Sequence, residues 1–177
     1  MARETLFQLH YLQQNSLKCR GFTLLELIIA MSVMVVLLGA AVPSFSDLIE
    51  RNKIKRLATE IEWLLVHAKS EAVMRGENVT VSISGASTLI WSINATTSSG
   101  ITLSEIESKN FKNIELSTTF ITPNVTFSKL NGKPNLSGGI EINLKSKDKV
   151  KVVVNPMTGR IYSCGVNGVI YDYKKCY

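Results

Sequence analysis

Glu26 is the only charged residue in the apolar run from Phe22 to Val42. A carboxylate in hydrocarbon costs on the order of 2.5 kcal/mol or more unless something pairs with it, so the chemistry open to Glu26 is ion pairing. No group nearby on this chain can serve, which points to another molecule, and an N-terminal amine suits the role. Other residues equipped for chemistry are few. The two histidines are His10, near the N-terminus, and His67, in a helical stretch where a packing or surface role is expected. The sequence has no Gly-rich phosphate loop, HExxH pair or nucleophile elbow, and its many Ser and Thr residues lack an accompanying base. Neither catalysis nor a cofactor is expected. What remains is three cysteines and a C-terminal mixture of cations and aromatics: Arg160, Lys174 and Lys175 with Tyr162, Tyr171, Tyr173 and Tyr177.

These groups need elements to hold them. At about 1.5 Å per residue, a helix over 22–42 is long enough to cross a hydrocarbon core. Lys18 and Arg20 stand on its N-terminal side, which keeps that end cytoplasmic and exports everything after Val42. This is not an ordinary secretory signal, because the small residue, Gly21, precedes the apolar region instead of following it. Beyond Pro43 the apolar positions become periodic: Phe45, Leu48, Ile49, Ile54, Leu57, Ala58, Ile61, Leu64, Leu65, Ala68 and Ala72 recur at helical spacing. The spacing predicts an amphipathic continuation over 43–75, stopped at Gly76, and a helix roughly 80 Å long from Phe22.

The remainder, 76–177, alternates as strands do. Asn78 to Ser84 is expected to pair with Leu89 to Asn94 through a turn at Ser84, Gly85 and Ala86, and Ala95 to Gly100 reads as a loop. Further strands are expected at Ile114 to Phe120 and Asn124 to Lys129, on either side of Pro123. Ile140 to Leu144 and Val150 to Val154 then pair around a turn at Lys145, Ser146, Lys147 and Asp148. The fold class is α+β, a long helix on one side of a mostly antiparallel sheet. Roughly 100 to 130 residues lie outside the leader and the spanning helix, enough for one small domain. The formal charge is +6, a weak pointer to anionic partners.

Arg20-Gly21-Phe22-Thr23-Leu24-Leu25-Glu26, followed by a long apolar helix and Pro43, resembles the class III signal of type IV pilins and type II secretion pseudopilins. The resemblance implies a prepilin peptidase that cuts between Gly21 and Phe22 and methylates the new N-terminus. It also implies that Glu26 meets a neighbouring subunit's N-terminus, that the helix bends at Pro43, and that residues 1–21 are a leader. The protein would be a single-pass inner-membrane subunit with an exported domain, passing into a filament with other pilin or pseudopilin subunits. Ala68 to Val81, Val125 to Gly132, Gly139 to Leu144 and Thr158-Gly159-Arg160-Ile161 are similar to the minor pilins and pseudopilins grouped as GspH/FimT, low-copy subunits near a filament tip.

On that reading cleavage discards Cys19 and leaves Cys164 and Cys176 where disulfides persist, so one pair is expected. A metal site is not, since two distant thiols without a nearby His make a poor zinc site. A cysteine pair bracketing a C-terminal segment favours a pilin over a secretion pseudopilin. FimT-like members bind DNA through a C-terminal Gly-Arg-x-Arg motif, and here Gly159-Arg160-Ile161-Tyr162 keeps the first Arg and has Tyr in place of the second. Arg160, Lys174 and Lys175 beside tyrosines are nonetheless suited to holding phosphate and stacking on bases. The alternative is a solvated basic tail whose tyrosines pack on the sheet. Lys145, Lys147, Lys149 and Lys151 are expected to protect strand edges.

Overall fold

The computed structural model describes residues 22–143 and 149–177, with the backbone alone at 41–44, 46 and 47. Gly21, the rest of the leader, and the turn residues Lys145, Ser146, Lys147 and Asp148 lie outside the described residues. The chain divides into two units, Met1–Phe45 and Ser46–Tyr177.

One helix, α1 (Leu24–Arg75), begins in the first unit and ends in the second. Thr23 starts it: its hydroxyl oxygen accepts the Glu26 backbone N–H at 3.2 Å, satisfying one of the donors that a helix leaves open at its N-terminus. In the first unit the large apolar side chains from Leu24 to Leu38 are exposed. Among the described residues no helix is long and apolar enough to cross a membrane; the stretch whose side chains are described ends at Ala40, short of Val42.

In the second unit α1 turns one stripe inward. Ile54, Leu57, Ala58, Ile61, Leu64, Leu65, Ala68 and Ala72 are buried, recurring at the three- and four-residue spacing of a helix face. Leu48 and Ile49 share the periodicity but are exposed, because no described strand covers that end of the stripe; Phe45, at the end of the first unit, is exposed as well. The helix stops at Gly76, whose φ of +66° places it in the left-handed region that glycine adopts most readily.

Eight strands follow: β1 (Val79–Ser84), β2 (Ser92–Thr97), β3 (Thr102–Glu107), β4 (Glu115–Thr118), β5 (Asn124–Phe127), β6 (Gly138–Asn143), β7 (Lys149–Val154) and β8 (Ile161–Gly165). They form two four-stranded antiparallel sheets where a single sheet was expected, ordered β3-β2-β1-β5 and β4-β6-β7-β8. The chain crosses to the second sheet at β4, returns for β5, then crosses again. Each sheet buries alternate residues, Val79, Val81, Ile93 and Val125 in one and Leu116, Ile140, Ile142 and Val152 in the other, into one core with the α1 stripe.

Two strand expectations are corrected. The partner of β1 is Ser92–Thr97 rather than Leu89 to Asn94, so Ala95 to Thr97 belong to a strand and not to a loop. Within the longer turn, Gly85 packs so closely on the Ile90 carbonyl that a Cβ there would stand 2.0 Å from that oxygen. The Thr88 hydroxyl also lies within donating distance of both the Gly85 and Ile90 carbonyls, at 2.7 and 2.8 Å, and its one hydrogen serves either, and Trp91 is held inside by its indole N–H donating to the Ile114 carbonyl at 2.9 Å. Strand β8 has no counterpart in the sequence expectation, and neither has β3. The latter is an edge strand that buries only Ile106, so it carries almost none of the apolar alternation that reveals a strand.

Candidate functional site

The C-terminal residues are built onto β8 and the helix. Cys164, at the buried end of β8, is joined to Cys176, a closure that contributes about 3 kcal/mol on the chain-entropy view. Backbone bonds reinforce it: the Gly165 N–H donates to the Lys174 carbonyl at 2.8 Å, and the Cys176 N–H to the Gly165 carbonyl at 3.0 Å. Gly165 admits no side chain, since a Cβ would lie 2.3 Å from the Gly168 carbonyl oxygen.

Side chains on α1 hold this assembly. Lys55 pairs with Asp172, and the Lys55 hydrogen bond holds the Asp172 carboxyl below its ordinary value. The Arg51 guanidinium lies 5.4 Å from the centre of the Tyr171 ring, and Ser163 donates to Glu62 at 2.8 Å. Burial pushes the Tyr173 phenol above its usual value, partly offset by a hydrogen bond with Thr59. Ile170 is buried, with Tyr171 and Tyr173 packed against the core.

Between β8 and the tail opens a groove of about 490 Å³. Its lining includes the three cations singled out in the sequence, Arg160, Lys174 and Lys175, with Tyr162, Tyr173 and Tyr177. Arg160, Lys174, Lys175 and Tyr177 are exposed. The Arg160 guanidinium rests 5.2 Å from the centre of the Tyr162 ring, so the tyrosine standing at the motif's second Arg position supports the first Arg as a cation–π partner. The lining carboxylate, Asp172, is already paired with Lys55. The tyrosines therefore differ: Tyr171 packs against the core, Tyr173 packs against it and also lines the groove, and Tyr162 and Tyr177 line the groove.

Other sequence candidates fall elsewhere. Glu26 is exposed in the first turn of α1, where the helix dipole favours a carboxylate. Sequence reasoning missed the capping by Thr23, although Thr-x-x-Glu ahead of an apolar run is its signature. Phe22 precedes the helix, and the helix backbone continues through Pro43. His67 stacks on Trp63 with ring centres 4.9 Å apart and lies 3.7 Å from Glu71. Lys151 pairs with Glu141 at 3.6 Å. No cluster of three or more metal-ligating side chains occurs among the described residues.

A long N-terminal helix on antiparallel sheets is the type IV pilin fold, and the chain is similar to the crystal structure of the type IV minor pilin FimU of Pseudomonas aeruginosa strain PAO1. That likeness has a TM-score of 0.53 at 20% identity and covers 64% of this chain and 89% of FimU. The model for type II transport protein GspH matches residues 57–159, more than half of the sequence, and the chain belongs to that family, whose members are structural subunits and not enzymes. The prokaryotic N-terminal methylation motif matches residues 16–42. Two fimbrial proteins of Pseudomonas aeruginosa are each 32% identical over 63 residues, which is 36% of this chain. The chain matches 40% of the length of these curated relatives.

Proposed function

We propose that this protein is a minor subunit of a type IV pilus whose C-terminal groove binds extracellular DNA. The leader 1–21 is removed by a prepilin peptidase between Gly21 and Phe22, the 22–42 segment spans the inner membrane once with its N-terminal side cytoplasmic, and the exported domain passes into a filament with other pilin subunits. The methylation motif at 16–42 supports the processing step, and the helix there leaves its apolar residues uncovered by any described part of the chain. Such a surface is stable only against lipid or other helices. Pro43 is the place for a bend, since a proline inside a helix removes a backbone hydrogen bond.

The DNA reading is carried by one observation, the convergence of Arg160, Lys174 and Lys175 with Tyr162 and Tyr177 around a single groove. Cations meet phosphates, and an exposed tyrosine face accepts a stacked base. Binding of a short oligonucleotide to the detergent-solubilised protein is expected to weaken steeply with salt. Arg160→Ala or Lys174→Ala should each lower the slope of log affinity against log salt by about 0.7 to 0.9. Undetectable binding at low salt, or slopes the substitutions leave unchanged, would remove DNA from the account.

A second reading is favoured by the family description, type II transport protein: a minor pseudopilin at the tip of a secretion pseudopilus. It predicts a secretion defect in the deletion strain with normal pili. The structural likeness to a type IV minor pilin and the stapled tail support the pilus.

A further inference from the structure

A second groove, of about 550 Å³, takes in Pro156 of the Asn155–Arg160 turn, shares no lining residue with the first and plays no part in the reading above. It is lined by Asn78, Asn131, Asn135, Ser128, Lys133 and Pro156, among others. Each asparagine spends its side-chain oxygen on a backbone N–H of the protein: Asn78 accepts from Lys129 at 3.0 Å, Asn131 from Lys133 at 3.0 Å, and Asn135 from Thr126 at 2.8 Å. The Ser128 oxygen likewise accepts the Leu130 N–H. Fixing the oxygens leaves the three amide NH2 groups, each able to donate two hydrogen bonds, with no protein acceptor among the described residues. The Lys133 ammonium adds three more donors, and no carboxylate lines the groove.

Three free amides and an ammonium favour a ligand rich in acceptors, and the ammonium favours a negatively charged one over a neutral sugar. The lining residues include no aromatic face on which a nucleobase could stack. A chain that repeats acceptors along its length and carries negative charge meets these terms. We infer that this groove binds a carboxylate-bearing polysaccharide, a polymer of uronic-acid units, with carboxylates on Lys133 and ring or hydroxyl oxygens on the asparagine amides.

The asparagines allow a test that separates binding from folding. Asn→Asp retains the oxygen that accepts the backbone N–H and replaces the free donor with a second acceptor. The full-length protein in detergent is titrated with an oligogalacturonate of about five units, long enough to cover a groove of this size, and with cellopentaose as its neutral counterpart. The inference expects oligogalacturonate to bind and cellopentaose to bind at least about tenfold more weakly, as loss of a charge-assisted hydrogen bond implies. Asn78→Asp combined with Asn135→Asp should weaken oligogalacturonate binding by about tenfold or more without lowering the melting temperature, and Lys133→Ala should weaken it severalfold. Asn52→Asp combined with Asn110→Asp, two exposed changes outside the groove, controls for net charge and should leave binding as it was. No binding of oligogalacturonate, equal binding of the neutral chain, or an equal loss in this control would overturn the inference. So would a loss of DNA binding, and not of glycan binding, in the double variant of the groove.

Discussion

Leu64→Ala is expected to destabilise the exported domain by about 2 to 5 kcal/mol, the range for deleting a buried leucine side chain and leaving a cavity. Leu64 is 1% exposed and sits mid-stripe on α1, in the core that both sheets share. Collapse around the gap is limited, because its neighbours on the stripe belong to the same rigid helix and the facing residues are fixed by strand registers. A domain of this size has about 5 to 15 kcal/mol of stability in all, so one such loss removes a large part of it. The control is Trp63→Ala, one residue along the same helix: Trp63 is larger but 61% exposed, and its removal is expected to cost well under 1 kcal/mol, as surface substitutions usually do. Urea titration of both variants checks the pair. Equal midpoint shifts would mean that the buried stripe has been assigned to the wrong face.

Glu26→Ala is expected to leave membrane insertion intact and abolish incorporation into filaments. Removing a carboxylate from an apolar helix makes insertion easier, because the charge costs on the order of 2.5 kcal/mol or more when unpaired. Its local role at the helix start is small: Thr23 supplies the cap through its own oxygen to the Glu26 backbone N–H, which an alanine retains, and the dipole interaction contributes about 0.3 to 1 kcal/mol. A complete assembly defect would therefore have to come from a partner outside the chain, the positive N-terminus of a neighbouring subunit. Glu26→Gln sharpens the test, keeping shape and polarity while removing charge, and is expected to behave like Glu26→Ala. Either variant appearing at wild-type levels in sheared filaments would contradict the pairing.

The parts of this fold written in a regular apolar period were legible in the sequence. Ile54 to Ala72 recur at helical spacing and are the buried stripe; Val79, Val81 and Ile83, and Val150, Val152 and Val154, alternate and are strand interiors. Legibility failed where burial was small or one-sided. Strand β2 hides Ala95 and Thr97 among Ser and Thr, and Thr97 is satisfied by accepting the Ile101 N–H on its hydroxyl, a bond no composition reveals. Strand β3 is held by its pairing with β2 and not by its own side chains. The break into two sheets depends on where β4 pairs, with β6 rather than with β5, and long-range pairing leaves little local trace. At the site, the cations and cysteines were visible as residue types. That Tyr162 would support Arg160, and that Lys55 would neutralise Asp172, required the fold. The asparagine groove was not visible, because its donors are defined by which oxygens the backbone has already taken.

The account rests on a chain made with a leader and matured by cutting beside Phe22. Intact-mass and N-terminal peptide measurement on the protein purified from its own cells tests this most directly. The account predicts a mature chain that begins at Phe22, carries a methyl group on its amine, and is recovered with sheared filaments. A chain that begins at Met1 in cells with an active prepilin peptidase, and that stays with the membrane when filaments are removed, would contradict it.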